Sequence, residues 1–568
     1  MLILQKYFYL CLSTHISLVN FAAIGKAAAF IFFVICFVLC FIIHIFADEN
    51  RKHSMKYPIG IQNFGEIRRG GYVYVDKTPQ MWKMIDEGKY YFLSRPRRFG
   101  KSLMISTLES FFSGERELFK GLFVDTVEWD WQQYPIMHLD LNTDKYDSPE
   151  VLRNRLEMFL SENEEKYGRN DYEKSYGARF EGVMRRAFEK TGRQVVVLVD
   201  EYDKPMLQTI GNEELQSEYR STLKAFYGAL KSSDRYIKFA FLTGVTKFGK
   251  VSVFSDLNNL IDLSLDHRYT NICGISEKEM HDYFDADVAA LAEANSMTKG
   301  DCYERLRRDF DGYHFSPLAK EGMYNPFSVL NTLSSQVFNS YWFETGTPSF
   351  LIHQLKRTNY PLEMITREEV TADTLNSIEI MDENPLPLLY QSGYLTIKDY
   401  DQEFNTYLLG FPNREVEEGF VKYLVPFYSP SKADQPLTYI GSFVKEVRNG
   451  DAEAFMGRVE RFFDGGDYQV VGKAELYFQN TLWALFKLLG LYVEVERHTT
   501  DGRMDILMQT KDYVYILELK IDQSADIALQ QIEEKQYAKV FMGDSRTIYK
   551  IGINFSSETR RITEWKIA

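Results

Sequence analysis

Five strand-like runs punctuate the first half of the chain, two of them holding unbroken apolar stretches. They fall at Tyr90–Ser94, Pro135–Leu141, Gln194–Val199, Ile237–Thr243 and Leu260–Leu265, with helix-length stretches between them. VVVLV at 195–199 and FAFLT at 239–243 show no polar face, which suits strands covered on both sides in a parallel sheet. Together these runs predict an α/β domain with helices on both faces. At Ser276-x-x-Glu279 a capping-box pattern opens a helix, and 276–430 reads mostly as helices interrupted by Gly- and Pro-containing loops. The aromatic clusters DGYHF (311–315), YNPFSVL (324–330) and YWFETGTP (341–348) read as core packing. SPSKADQP (429–436) is a turn-rich linker. Beyond it the pattern runs helix, strand, hairpin, helix, strand. Leu476, Leu482, Leu485 and Leu488 mark a buried helix ended by Gly490.

Composition narrows the class. A chain of 568 residues divides into two to four domains, and its 15% of aromatic residues excludes wholesale disorder. The net charge of −14 excludes a protein coated in basic surface, though a local basic groove fits within it. Cys11, Cys36 and Cys40 lie near the start, leaving only Cys273 and Cys302 in the body. That is neither a disulfide framework nor a zinc cluster, and it suits a reducing compartment.

Ala27 to Ala47 is free of formal charge and, at 1.5 Å per residue, about 30 Å long as a helix, enough to cross a bilayer. Two readings stand: a membrane anchor, or an over-extended gene start before Met55. A cytoplasmic location is expected in the second case, an inner-membrane anchor in the first. The expected organisation is a hydrophobic segment (1–54), a P-loop domain (55–275), a helical middle or lid region (276–435) and a C-terminal α/β domain (436–568).

The strand Tyr90–Ser94 runs into RPRRFGKSL (95–103) and then an apolar helix. Strand, loop and helix in that order form a phosphate cradle, because helix N-terminal N–H groups and the helix dipole face the anion. Lys101 would reach the β- and γ-phosphates and Ser102 would bind Mg²⁺, behind Gly100. The full pattern asks for Gly at position 95, where this chain has Arg95. Arg97 and Arg98 would add charge at the phosphates, or else stand as solvated loop residues. Val195–Val199 followed by Asp200-Glu201 looks like a Walker B strand, with Asp200 on the metal and Glu201 on the attacking water. Thr243 ends the next strand where a sensor residue would lie, with Lys247 close behind. Arg98, Gly100, Lys101, Ser102 and Thr243 are the expected nucleotide contacts.

A second constellation lies near the C-terminus. A hairpin turning at Lys511-Asp512 sets Asp505 opposite Glu518, with their Cβ atoms about 5 Å apart. Glu518 and Lys520 share a face. Two clustered carboxylates suit Mg²⁺, a hard ion that prefers oxygen, and support phosphodiester hydrolysis. Glu475 on the preceding helix would add a third carboxylate. Gln531 and Tyr537, on the helix after Lys520, would orient groups or contact a nucleic-acid backbone. Residues 471–568 hold 13 Lys and Arg against 14 Asp and Glu, so this part lacks the acidity of the whole chain.

With these segments in view, the chain from about Met55 onward resembles bacterial AAA-ATPase-like proteins fused to a C-terminal PD-(D/E)XK nuclease domain. YVDKTPQM, RPRRFGKSL, VVVLVDEYDKP, FLTGVTKF, YNPFSVL, GRMDILM, YILELK and ALQQIEEKQYAKVF carry the resemblance. It implies a P-loop NTPase-like parallel sheet, a helical middle and a restriction-endonuclease-like fold at the end. Within it RPRRFGKS is the usual form of the loop. Asp505 and Glu518 become metal ligands, Lys520 the catalytic lysine, Glu475 the helix acid and Gln531 the helix Gln. ATP and Mg²⁺ are the implied cofactors. DNA is the implied partner, with RNA the alternative. A homo-oligomer is a further expected partner state, since such ATPases form rings through an Arg supplied in trans. A membrane is a partner only if residues 27–47 are expressed.

Overall fold

The computed structural model describes residues 55–247, 259–343, most of 351–376, 384–428, 436–464, 474–490, 494–500, 503–541, 543–559 and 561–568. Residues 27–47 lie outside this set. Among the described residues no helix is long and apolar enough to cross a membrane.

The first sheet contains β1 (Tyr90–Ser94), β2 (Ile136–Asp140), β3 (Val195–Asp200), β4 (Ile237–Gly244) and the short β5 (Ile261–Asp262). Its order is β2-β3-β4-β1-β5, and every neighbouring pair is parallel. Every residue of β1 and β3 is buried, as strands covered on both faces require. Four long helices accompany this sheet: α1 (Lys101–Phe112), α2 (Pro149–Tyr167), α3 (Tyr176–Thr191) and α4 (Glu213–Ser232). Helix α1 begins directly after the loop that leaves β1. It buries Met104, Ile105, Leu108, Phe111 and Phe112, each contributing roughly 1.5–3 kcal/mol. That burial fixes the loop's far end against the sheet.

The middle region follows with α5 (Glu277–Ala294), α6 (Lys299–Phe310), α7 (Pro326–Ser335) and α8 (Arg414–Tyr428). The capping box at the start of α5 is complete. Ser276 accepts from the Glu279 N–H, and the Glu279 carboxylate accepts from the Ser276 N–H. The middle holds many helices, as expected, and a small sheet besides. An antiparallel sheet of order β6-β8-β7 interrupts it, formed by β6 (Glu369–Thr371), β7 (Thr396–Asp401) and β8 (Thr406–Gly410). These strands are three to six residues long, too short for a period-two pattern to stand out from loop sequence.

The C-terminal part opens with α9 (Pro436–Asn449), α10 (Ala452–Asp464) and α11 (Ala474–Gly490). A mixed sheet of order β13-β12-β11-β10-β9 follows. It comprises β9 (Glu494–Thr500), β10 (Arg503–Gln509), β11 (Tyr513–Ile521), β12 (Thr547–Ser556) and β13 (Arg561–Ile567). Helix α12 (Ala525–Glu534) makes the crossover between the parallel pair β11 and β12. A closing antiparallel strand, β13, extends the predicted order by one.

Candidate functional site

The β10–β11 hairpin sets the geometry of the C-terminal site. Its register pairs Asp505 with Glu518 and Ile506 with Leu517, as a turn at Lys511-Asp512 requires. Thr510 closes that turn by donating its backbone N–H to the Tyr513 carbonyl at 2.9 Å. β11 is the middle strand and is buried from Val514 to Lys520, so Glu518 is wholly inaccessible and Lys520 nearly so.

Burying two charged groups is costly unless they are paired and hydrogen-bonded. Here the Lys520 ammonium donates to Glu518 Oε1 at 2.5 Å and to Gln531 Oε1 at 2.6 Å. Gln531 reaches it from α12, so crossover helix and strand meet at the lysine. Glu518 Oε2 is buried and accepts no hydrogen bond among the described residues. An oxygen left with no donor, on a strand paired with Asp505, fits a divalent cation that takes oxygen ligands. No group of three His, Cys, Asp or Glu side chains that could hold a metal ion gathers among the described residues. The Asp505 and Glu475 side chains lie outside the described set; their backbones stand on β10 and α11.

Tyr537 departs from expectation. Helix α12 ends at Glu534, and Tyr537 begins a separate 3-10 turn packed on the apolar cluster of Val514, Ile516 and Ile532.

The second site lies at the loop between β1 and α1. Arg95 stands at the position expected to be Gly, yet only Arg98 (φ 66°) and Gly100 (φ 98°) adopt the left-handed backbone within the loop. Position 95 therefore has no need of glycine. Its N–H donates to the Gly244 carbonyl at 3.2 Å, which extends the sheet ladder. The Arg95 side chain is buried and donates to the carbonyls of Ser94, Ser264 and Tyr269. Its guanidinium lies 4.1 Å from the Phe315 ring centre. Burial pushes its pKa down to about 10.

Gly100 caps α1, and Lys101 and Ser102 form its first turn. The Lys101 ammonium is buried, 3.3 Å from the Pro96 carbonyl and 3.4 Å from Glu201 Oε1. Asp200 ends β3, and its Oδ1 accepts from the Thr243 hydroxyl at 2.7 Å and from the Glu201 N–H at 3.0 Å. Strand β4 thus brings Thr243 between the loop and the acid pair. Lys247 turns instead to Asp262, with Nζ 2.9 Å from Oδ2. Arg97 and Arg98 are exposed, and the Arg98 guanidinium lies 4.9 Å from the Phe327 ring centre.

Several further residues, not among the expected site residues, surround this loop. Asp203 is fully buried and accepts from the Val245 N–H, the Thr246 N–H and the Thr246 hydroxyl. Burial first, and the Glu201 charge second, push its pKa up to about 6. Trp342 donates its indole N–H to the Arg97 carbonyl at 3.0 Å. Glu415 on α8 holds Trp342 in turn, accepting from the Tyr341 and Trp342 N–H groups and the Ser328 hydroxyl.

Comparison with known proteins bears on both parts of the chain. Residues 58–254 match the family described as predicted AAA-ATPase. Residues 473–565 match the PD-(D/E)XK nuclease superfamily. The chain is also 34% identical over 518 residues to an uncharacterized protein in the vnfD 5′ region of Azotobacter chroococcum mcd 1, covering 89% of this chain and 98% of that one. The chain belongs to the family of AAA-ATPase-like proteins that carry a C-terminal PD-(D/E)XK nuclease-superfamily domain.

Proposed function

We propose that this protein binds ATP through the β1–α1 loop and cleaves DNA with a divalent metal at the β10–β11 hairpin, the nucleotide state gating or positioning cleavage. The observation that carries the reading is the buried Lys520, held by Glu518 on one side and Gln531 on the other. A packed core has no use for such a group, since apolar residues of similar volume fill the space at least as stably. Asp505 and Glu518 would hold Mg²⁺, which supplies charge neutralisation at the scissile phosphate. Lys520, anchored at both ends, would orient the attacking water or offset charge developing on the phosphate oxygens.

At the other site, Lys101 would exchange Glu201 and the Pro96 carbonyl for the β- and γ-phosphates. Ser102 and Asp200 would serve the nucleotide's Mg²⁺, and Glu201, once released, would orient water. Contacts run from this loop toward the nuclease-like part. Trp342 joins the loop to Glu415 on α8, and Glu417 two residues on pairs with Lys487 of α11 at 2.5 Å. Helix α11 also takes the Leu362 N–H on Asn480.

The test is cleavage of plasmid DNA and of a single-stranded RNA with Mg²⁺ or Mn²⁺, using wild type and Glu518→Gln. Cleavage of DNA that disappears in Glu518→Gln supports the reading. Cleavage of RNA alone moves the substrate. Binding without cleavage under every condition contradicts an enzyme and favours a nucleotide-dependent scaffold.

A further inference from the structure

Arg98 adopts a left-handed backbone, φ 66°, in the middle of the candidate phosphate loop. That conformation crowds the Cβ of any residue but glycine and persists where surrounding contacts over-determine it. The contacts that do so come from beyond the ATPase-like sheet. On the residue before, the Arg97 carbonyl accepts from the Trp342 indole at 3.0 Å. On the residue after, the buried Phe99 ring meets Tyr313 edge-on at 4.7 Å and Phe315 at 5.3 Å. The Arg95 guanidinium also lies over the Phe315 ring, 4.1 Å from its centre. Both shoulders of the loop, residues 95 and 99, therefore rest on one side chain. Gly393 closes the seam against Pro96: a Cβ there would stand 2.5 Å from the Pro96 Cβ.

We propose that Trp342 and Phe315 are positioning residues of the nucleotide site. They hold the Arg97-Arg98-Phe99 turn in the left-handed form that aims Gly100, Lys101 and the α1 N-terminus at phosphate. The aromatic clusters read from sequence as core packing are then part of the nucleotide-binding unit, which extends well past residue 275. This inference rests on the nucleotide reading above.

The test is ATP affinity by titration calorimetry on the full chain, for wild type, Trp342→Phe and Phe315→Leu. Each is measured again in an Arg98→Gly background, with melting temperatures throughout. Glycine enters the left-handed region freely, so it removes the need for the clamp. Each variant is expected to weaken ATP about five-fold with Arg98 present, the scale of one lost hydrogen bond, and less than two-fold in the Arg98→Gly background. Should Phe315→Leu fail to fold, the milder Trp342→Phe decides. Equal losses in both backgrounds, or no loss with Arg98 present, overturn the inference while leaving the nucleotide site standing. A wild-type chain that binds no ATP overturns the nucleotide reading and this inference with it.

Discussion

The Lys520 ammonium sits 2.5 Å from Glu518 Oε1, two residues back along the same face of β11, and both side chains are buried. Removing one member of a buried pair strands the other charge, at about 3–5 kcal/mol. Lys520→Ala is therefore expected to lower unfolding free energy by about 3 kcal/mol in EDTA, with Mg²⁺ recovering part of the loss. Chemical denaturation with and without Mg²⁺ measures both. Unchanged stability, indifferent to Mg²⁺, would contradict a charged, cation-binding Glu518.

At the other site, Glu201 lies 3.4 Å from Lys101 and would compete with the phosphate proposed to bind there. Glu201→Gln removes the competing charge and the group expected to orient water. ATP affinity should hold or rise, while turnover falls by about 10²–10⁴. Lys101→Ala should lose binding itself. Calorimetry beside phosphate-release kinetics separates the two effects, and weaker ATP binding by Glu201→Gln would count against the arrangement.

How much of this was readable in advance depended on distance along the chain. The Asp505–Glu518 register followed from alternation about a local turn, and the capping box at Ser276 from four adjacent residues. The strand bearing Asp200 declared itself because a doubly covered strand needs an unbroken apolar run. By contrast, Trp342 meets Arg97 across 245 positions of sequence, and neither residue's neighbours hint at the other. The glycine pattern asks for glycine at position 95, where this chain has Arg95. The left-handed turns fall at Arg98 and Gly100 instead. Tyr537 lies six positions after Gln531 in sequence, but the helix ends between them.

Glu415 gives the Trp342 contact a pH signature. Burial pushes its pKa up from 4.5 to about 7, against the hydrogen bonds from Ser328, Tyr341 and Trp342. A carboxyl raised in the folded state binds its proton longer there than in the unfolded chain. Its contribution to stability is greatest below pH 4.5, declines as pH rises to about 7, and is level above. Glu415→Gln keeps an acceptor for the N–H groups and removes the titration. Relative to wild type it should gain stability between those pH values, by about 3 kcal/mol in all. Denaturation midpoints at pH 5, 6, 7 and 8 check this. A difference that does not change with pH would contradict it.

Gly393 takes φ 88° against Pro96 of the loop. Gly393→Ala adds both backbone strain and a clash with a rigid ring. It is expected to destabilise the protein by about 1–3 kcal/mol and to weaken ATP binding in step. A melting temperature and an ATP titration on the same preparation decide the point, and a variant equal to wild type in both would contradict the seam.

The most direct measurement is plasmid nicking with Mg²⁺, with and without ATP, by wild type, Lys101→Ala and Lys520→Ala. Wild type is expected to nick DNA at a rate that depends on ATP. Lys101→Ala should lose that dependence, and Lys520→Ala should lose cleavage under both conditions while remaining folded. A folded Lys520→Ala protein that nicks DNA at the wild-type rate would contradict the assignment of the β10–β11 site.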